Sequence, residues 1–203
     1  MPEDPNETRS REFLISQGFR VERFSKAETR VGKTPDFRVY QGDAFRFYCE
    51  VKSVDSDRWL DRLLDSAPPG QIVGGVRHDP RFNRLTTDIH EAVKQFDAVN
   101  PDLQHANVLI FVNNLDSNCR FLDLLSAITG NFFADTGESF PIYTAYSEGR
   151  IKNEKLRVHL YVWLDRDGKA YKFFPDLIGQ HEKDLCSCFG KDPSDIPRLD
   201  RSH

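Results

Sequence analysis

Asp36, Glu50 and Lys52 have the residue types and the spacing to do chemistry together. Asp36 follows Pro35 at the start of one predicted strand, and Glu50-Val51-Lys52 lies within the next strand along the chain. Residues i and i+2 of a strand project from the same face, roughly 6–7 Å apart, so Glu50 and Lys52 share a face. If the two strands pair antiparallel, Asp36 comes alongside Glu50.

Two carboxylates that converge on one point repel each other unless a cation lies between them. Mg²⁺ prefers oxygen ligands and is commonly held by one or two carboxylates together with substrate phosphate. A lysine beside such an ion can orient a water, help to deprotonate it, or offset charge in a phosphorane-like transition state. The arrangement therefore suits hydrolysis of a phosphodiester. The alternative is that Asp36 is a turn residue and that Glu50 and Lys52 lie on a solvated strand face.

Two strands and a turn must position these three side chains. Pro35–Tyr40 and Phe45–Lys52 have the composition of strands, and Gln41-Gly42-Asp43 between them is typical of a turn. The second strand alternates between an apolar and a polar face. The apolar face comprises Phe45, Phe47, Cys49 and Val51, and the polar face comprises Arg46, Tyr48, Glu50 and Lys52.

The rest of the chain predicts further elements around these strands. A helix over Glu7–Gln17 has Asn6 as its N-cap and Gly18 as its C-cap, and we expect Ser25–Lys33 to be an exposed loop. The hydrophobic pattern predicts the remaining elements. These are strands over Phe19–Phe24 and Asn107–Val112, helices over Asp57–Asp65, Thr86–Val99 and Phe121–Ile128, and a hairpin of Leu156–Leu164 with Ala170–Phe174.

The segments Pro35-Asp36 and Glu50-Val51-Lys52 resemble the motif of the PD-(D/E)XK nucleases, which are also called restriction-endonuclease-like. The order of elements over about residues 7–113 is similar too: a helix, three strands that carry the motif, a helix and a further strand. The resemblance implies an α/β (α+β) fold with a central mixed sheet flanked by helices, to which we add a C-terminal β-hairpin extension.

The same resemblance implies roles for the motif residues. Asp36, Glu50 and Val51 would hold Mg²⁺, for which Mn²⁺ can substitute. Lys52 would position or activate the attacking water. The implied activity is that of a metal-dependent nuclease, acting on DNA in preference to RNA, and a homodimer or a protein partner is compatible with it.

Residues outside the motif would complete such a site. In resolvase-like members of the family, an acid on the preceding helix lies about three turns before a Gly-aromatic pair. Glu7 has this spacing from Gly18-Phe19, and Glu12 is the other candidate for the accessory acid. Many members also carry a Gln or Lys on the helix after the motif, which makes Lys94 and Gln95 candidates for an orienting group.

The charge balance limits how nucleic acid could bind. The 203 residues include 28 Lys and Arg against 32 Asp and Glu, a formal net charge of −4, which excludes a basic coat over the whole chain. Local basic clusters remain candidates for phosphate contacts. They are Lys26, Arg30 and Lys33 in one segment and Arg77, His78, Arg81 and Arg84 in another.

The chain as a whole reads as one nuclease-like domain over residues 1–185, with a motif core at about 7–113, an extension at 114–185 and a loosely held tail at 186–203. The longest apolar runs are too short to span a bilayer, the first residues do not resemble a secretory signal, and four Cys do not make a disulfide framework. We therefore expect a cytoplasmic, reduced protein that does not bind membranes.

Two other functions stay open at this point. The same fold could be kept as a non-catalytic module that binds nucleic acid or another protein. Alternatively, the chain could be a structural or partner-binding protein whose C-terminal half carries the function.

Overall fold

The computed structural model describes residues 4–54, 65, 67–68, 81–114, 119–134, 136, 138–142, 150–175 and 179–196. Its secondary structure is α+β. The helices are α1 Pro5–Ser16, α2 Lys26–Val31, α3 Arg81–Val99, α4 Phe121–Thr129 and α5 Gln180–Cys188, with 3₁₀ turns at Glu154–Arg157 and Pro193–Asp195. The strands are β1 Arg20–Arg23, β2 Phe37–Gln41, β3 Ala44–Val54, β4 Ala106–Asn113, β5 Asn131–Phe133, β6 Ser139–Pro141, β7 Leu160–Leu164 and β8 Ala170–Phe173.

A mixed six-stranded sheet in the order β1-β2-β3-β4-β7-β8 forms the centre of the fold. The β1–β2, β2–β3 and β7–β8 pairs are antiparallel, whereas β3–β4 and β4–β7 are parallel. Helices α1 and α5 contribute to the apolar cluster on one face, and α3 and α4 to the cluster on the other. The predicted mixed sheet flanked by helices is therefore confirmed.

The register of β2 and β3 decides where Asp36 lies. Phe37 pairs with Cys49 in the antiparallel ladder, so the residue before Phe37 is level with Glu50. The tight turn between the strands contains Gly42 with a positive φ of 59°, a conformation that glycine adopts without steric cost. The predicted antiparallel pairing of the two motif strands is confirmed.

The predicted alternation of β3 is confirmed for Phe47, Cys49 and Val51, which all belong to the apolar cluster under α1. It is wrong for Phe45, whose ring contacts Tyr48 at a centroid distance of 4.8 Å. The register shifts between Val39 and Tyr40 of β2, and a bulge of this kind turns every residue beyond it to the opposite face.

Two further predictions, about residues 4–31, need correction. The N-cap of α1 is Asp4, whose Oδ1 accepts a hydrogen bond from the Asn6 amide at 2.7 Å, rather than Asn6 itself. The segment predicted as an exposed loop contains the six-residue helix α2, which begins with a capping box of Ser25 and Glu28. The Ser-x-x-Glu spacing was the available signal, but such a short, highly charged helix shows no apolar stripe.

The central helix and strand follow the hydrophobic pattern closely. The predicted stripe on α3 is buried at Ile89, Ala92, Val93 and Phe96, and all eight residues of β4 are buried. The predicted helix over Asp57–Asp65 lies almost wholly outside the described residues.

The sequence left open whether the chain beyond residue 113 extends the sheet. Strand β7 pairs with β4 and β8 pairs with β7, so this part of the chain extends the sheet. The hairpin begins at Leu160, because the residues before it form a 3₁₀ turn. The prediction of a loosely held tail from residue 186 is wrong for the first residues of that segment. Cys186 and Phe189 pack into the cluster under α1, since α5 places them against the sheet.

The described part of the chain contains no helix long and apolar enough to cross a bilayer. The four cysteines are free, and Cys49 is buried as predicted.

His159 makes folding sensitive to acid. It is buried, its Nδ1 accepts a hydrogen bond from the Asn107 amide at 2.9 Å, and burial lowers its pKa from 6.5 to about 4. Because the folded protein favours the neutral ring, this contribution is complete above pH 6.5 and is lost as the pH falls toward 4. We expect a loss of roughly 2 kcal/mol in the free energy of unfolding over that range.

Urea unfolding from pH 7 to pH 4 measures the effect, with His159→Asn as the variant because the Asn amide oxygen can replace Nδ1 as the acceptor. The variant should lose less stability across the range than the wild type. His90→Asn, at an exposed histidine, is the control and should follow the wild type. Parallel curves for all three proteins would contradict the prediction.

Candidate active site

The carboxyl groups of Asp36 and Glu50 meet where β2 begins, beside the second half of β3. They lie within hydrogen-bonding reach of each other, and Asp36 Oδ2 also accepts a hydrogen bond from the Val51 amide at 2.8 Å. Glu50 is only 2% exposed, and its Oε2 is buried without a hydrogen-bond partner. Two ionised carboxylates have no proton to share, so this arrangement leaves an oxygen that only a proton or a cation can satisfy.

Burial and mutual repulsion oppose ionisation of this pair. Burial, together with the Asp36 charge, raises the pKa of Glu50 from 4.5 to about 8, although Lys52 acts in the opposite direction. Burial also raises the pKa of Asp36, against which the Val51 amide acts. The pair therefore retains a proton at neutral pH, at the position where a cation would otherwise be favoured.

Lys52 lies at the edge of the acid pair and is held from two sides. Its Nζ donates to Glu50 Oε1 at 2.7 Å and to Gln95 Oε1 at 3.0 Å. Gln95 Nε2 in turn donates to the Thr34 carbonyl at 3.2 Å, so Gln95 links α3 to the segment that leads into β2. Of the two candidates on this helix, Gln95 is the one beside the motif residues.

Lys94 projects elsewhere, because successive residues of a helix point about 100° apart. It is exposed and donates to Glu91 at 2.7 Å, and Glu91 also accepts from Lys33 at 3.1 Å. Lys94 therefore belongs to an ion-pair group on the surface of α3. The role of orienting group that the family resemblance implies for Lys94 stays a prediction.

A cleft of about 610 Å³ opens beside Asp36, between α1, α3 and the segment that contains α2. Glu7 borders this cleft and forms an ion pair with Arg23, which also lines it. Glu12 is exposed and is not among the residues that line the cleft. Of the two candidate acids, Glu7 is therefore the one that lines the same cleft as Asp36. Its function as an accessory acid stays a prediction.

The first predicted basic cluster also borders the cleft, through Lys33 and the end of α2. Lys26 and Arg30 are exposed on α2 itself. Arg77 and His78 of the second cluster lie outside the described residues.

Asp88 is a candidate that the sequence analysis missed. It lies on α3 seven residues before Gln95, which places both side chains on the same face because seven residues make about two turns. Burial raises the pKa of Asp88 to about 6 against the opposing effect of the positive charges of Lys52 and Arg84. The i, i+7 spacing from a suspected site glutamine was the signal that could have revealed it.

The donor set matches a magnesium site that is only partly built from side chains. Across the described ranges, no group of three or more His, Cys, Asp or Glu side chains could hold a metal ion. Asp36 and Glu50 supply two carboxylates, and the Val51 carbonyl points to the same side of β3 as its amide, toward Asp36. Mg²⁺ is commonly bound by one or two carboxylates, with water and substrate phosphate filling the other positions, so these residues fit the ion.

Comparisons with known proteins identify no relative of this chain. No family model, no curated protein and no solved structure matches it. The motif residues and the geometry of the site are therefore the basis for inferring a function.

Proposed function

We propose that this protein is a metal-dependent nuclease that hydrolyses phosphodiester bonds, with DNA as the favoured substrate, on a restriction-endonuclease-like core. The observation that carries the proposal is the Asp36–Glu50 pair, in which the buried Glu50 has a carboxylate oxygen without a hydrogen-bond partner and the Lys52 ammonium lies at the edge. A solvated strand face does not account for this arrangement, because Glu50 is withdrawn from water.

Asp36, Glu50 and the Val51 carbonyl would hold Mg²⁺ or Mn²⁺. When bound, the ion would supply charge stabilisation for the scissile phosphate and lower the pKa of a coordinated water. The protein contributes pre-organisation, because the Val51 amide fixes the Asp36 carboxylate before any ligand arrives. Fixed acceptors require little reorganisation when charge develops during the reaction.

Lys52 supplies the mobile positive charge of the site. Its ammonium can donate to the attacking water or to a phosphate oxygen, and Gln95 limits where it can move. The ammonium is a compact charge with three donors, so it can keep Gln95 as a partner while it contacts the substrate. Glu7 borders the same cleft, where it can accept a proton or a water-mediated hydrogen bond.

The charges around the cleft favour a substrate held by a few contacts. Arg23 pairs with Glu7, Arg38 with Glu28 and Lys33 with Glu91, so acids next to the site reduce its attraction for a phosphate backbone. Binding that depends on many phosphate contacts is correspondingly weak in a chain of net charge −4. A structured DNA substrate, or an end delivered by a partner protein, fits this better than uniform duplex.

A cleavage panel tests the proposal. Single-stranded, duplex and branched DNA, with RNA counterparts, are incubated with the wild type in Mg²⁺, Mn²⁺ or EDTA. We expect cleavage of at least one DNA substrate with either metal and none in EDTA. Asp36→Ala and Lys52→Ala should reduce the rate about 10²–10⁴-fold.

Glu22→Ala is the matched control, because Glu22 is an exposed acid on β1 that pairs with Arg20. Its rate should equal that of the wild type. Activity that survives both site substitutions would overturn the proposed site. Binding of DNA without cleavage of any substrate would favour the non-catalytic module.

A further inference from the structure

Asp88 has no role in the site as described so far, although the Lys52 charge acts on it. Asp88 and Gln95 share one face of α3, and Gln95 directly contacts the Lys52 ammonium. Asp88 is half-buried, and Lys52 and Arg84 are the charged groups that act on it electrostatically. A carboxylate withdrawn from water needs a compensating charge nearby.

The contacts of Lys52 cannot all persist once a cation binds. In this structure its ammonium donates to Glu50 Oε1 at 2.7 Å, on the carboxylate that a divalent ion would take. A second positive charge at that carboxylate repels the ammonium, which must then move toward another acceptor. Gln95 is neutral, and the other two acids of α3 already pair elsewhere, Glu91 with Lys33 and Lys94 and Asp97 with Arg157. The acid of this helix on which the Lys52 charge acts is Asp88.

We propose that Asp88 is a positioning residue that holds the Lys52 ammonium beside the site when Glu50 binds a divalent cation. This inference rests on the proposed function, because it concerns the same cation site. With the ion bound, the carboxylates of Asp36, Glu50 and Asp88 balance the charges of the ion and of Lys52. Without Asp88, the ammonium stays on Glu50 and competes with the metal.

A double-mutant cycle on metal binding tests this without any measurement of cleavage. Mn²⁺ affinity is measured by calorimetry for the wild type, Asp88→Asn, Lys52→Met and the double variant. Asp88→Asn should weaken binding by about threefold to thirtyfold, the range of coupling between neighbouring charged groups. Lys52→Met should tighten binding, because it removes the competing cation.

The decisive comparison is the effect of Asp88→Asn in the Lys52→Met background, where we expect a change of less than about twofold. Asp88→Glu should retain most of the wild-type affinity, since it keeps the charge. Asp97→Asn is the control, because Asp97 lies on the same helix and pairs with Arg157. Thermal unfolding verifies that each variant is folded. If Lys52→Met does not fold, Lys52→Gln takes its place in the cycle.

Each other outcome overturns a separate statement. An equal loss of affinity from Asp88→Asn in both backgrounds would mean that Asp88 acts on the metal directly, and the positioning role would be wrong. No effect of Asp88→Asn in either background would also exclude the role. No Mn²⁺ binding by the wild type would overturn the proposed function and this inference together.

Discussion

Glu50→Gln is expected to stabilise the metal-free protein at alkaline pH by roughly 2–4 kcal/mol. The pKa of Glu50 is about 8 in the folded protein and 4.5 in the unfolded chain. Between these values the folded protein keeps a proton that the unfolded chain releases, so stability falls as the pH rises from 4.5 toward 8. Glutamine carries no charge at any pH and its oxygen can still accept from Lys52, so the variant avoids this loss.

Urea unfolding in EDTA at pH 5 and pH 8.5 measures the effect. The two proteins should differ little at pH 5, and the variant should be the more stable at pH 8.5. Glu22→Gln, on the exposed face of β1, should change stability equally little at both values. A Glu50→Gln difference that is independent of pH would contradict the prediction.

The same substitution should remove stabilisation by metal. A ligand that binds only the folded state adds about 2.7 kcal/mol at a hundredfold excess over its Kd, so Mn²⁺ should raise the Tm of the wild type. Glu50→Gln replaces an anionic oxygen with an amide and should abolish most of that rise. One residue would then limit the stability of the metal-free protein and enable binding, as expected for a functional site.

Lys52→Met is expected to lower kcat about 10²–10⁴-fold while the KM for DNA changes little. The ammonium contacts groups at the reacting centre, and its removal withdraws a charge that matters most in the transition state. The metal site itself should persist, because Asp36 and Glu50 are unchanged. Loss of catalysis with retained Mn²⁺ binding is the diagnostic combination.

Steady-state kinetics on the best substrate of the cleavage panel, with Mn²⁺ calorimetry on the same protein, make this measurement. Lys33→Met is the matched control, since Lys33 lines the same cleft but pairs with Glu91. It should raise KM and leave kcat nearly unchanged. Undiminished kcat in Lys52→Met, or parallel losses of catalysis and metal binding, would exclude the assigned role.

The local spacing of residues correctly predicted how the two motif strands pair. The two-residue period of β3 places Glu50 and Lys52 on one face, and the glycine turn returns the chain so that Asp36 is level with Glu50. The apolar stripe of α3 likewise identifies which side of that helix packs on the sheet. These features depend on chain geometry over a few residues, so a reading of the sequence can recover them.

Other features depend on segments that are distant in the sequence. The bulge that turns Phe45 toward Tyr48 arises from a register shift against β2, and no local pattern reveals it. Gln95 rather than Lys94 reaches Lys52 because α3 packs with the Gln95 side toward β3. Equally, the pairing of β7 with β4 decided that the later residues extend the sheet.

The sequence by itself determined which residue types could meet: two acids and a lysine on neighbouring strands. Only the tertiary structure decided how deeply they are buried, and hence that Glu50 holds its proton to a pH of about 8. The physical reason is that the spacing of side chains along a strand is a property of the backbone. Burial and the local electric field, in contrast, sum contributions from every element that packs around the site.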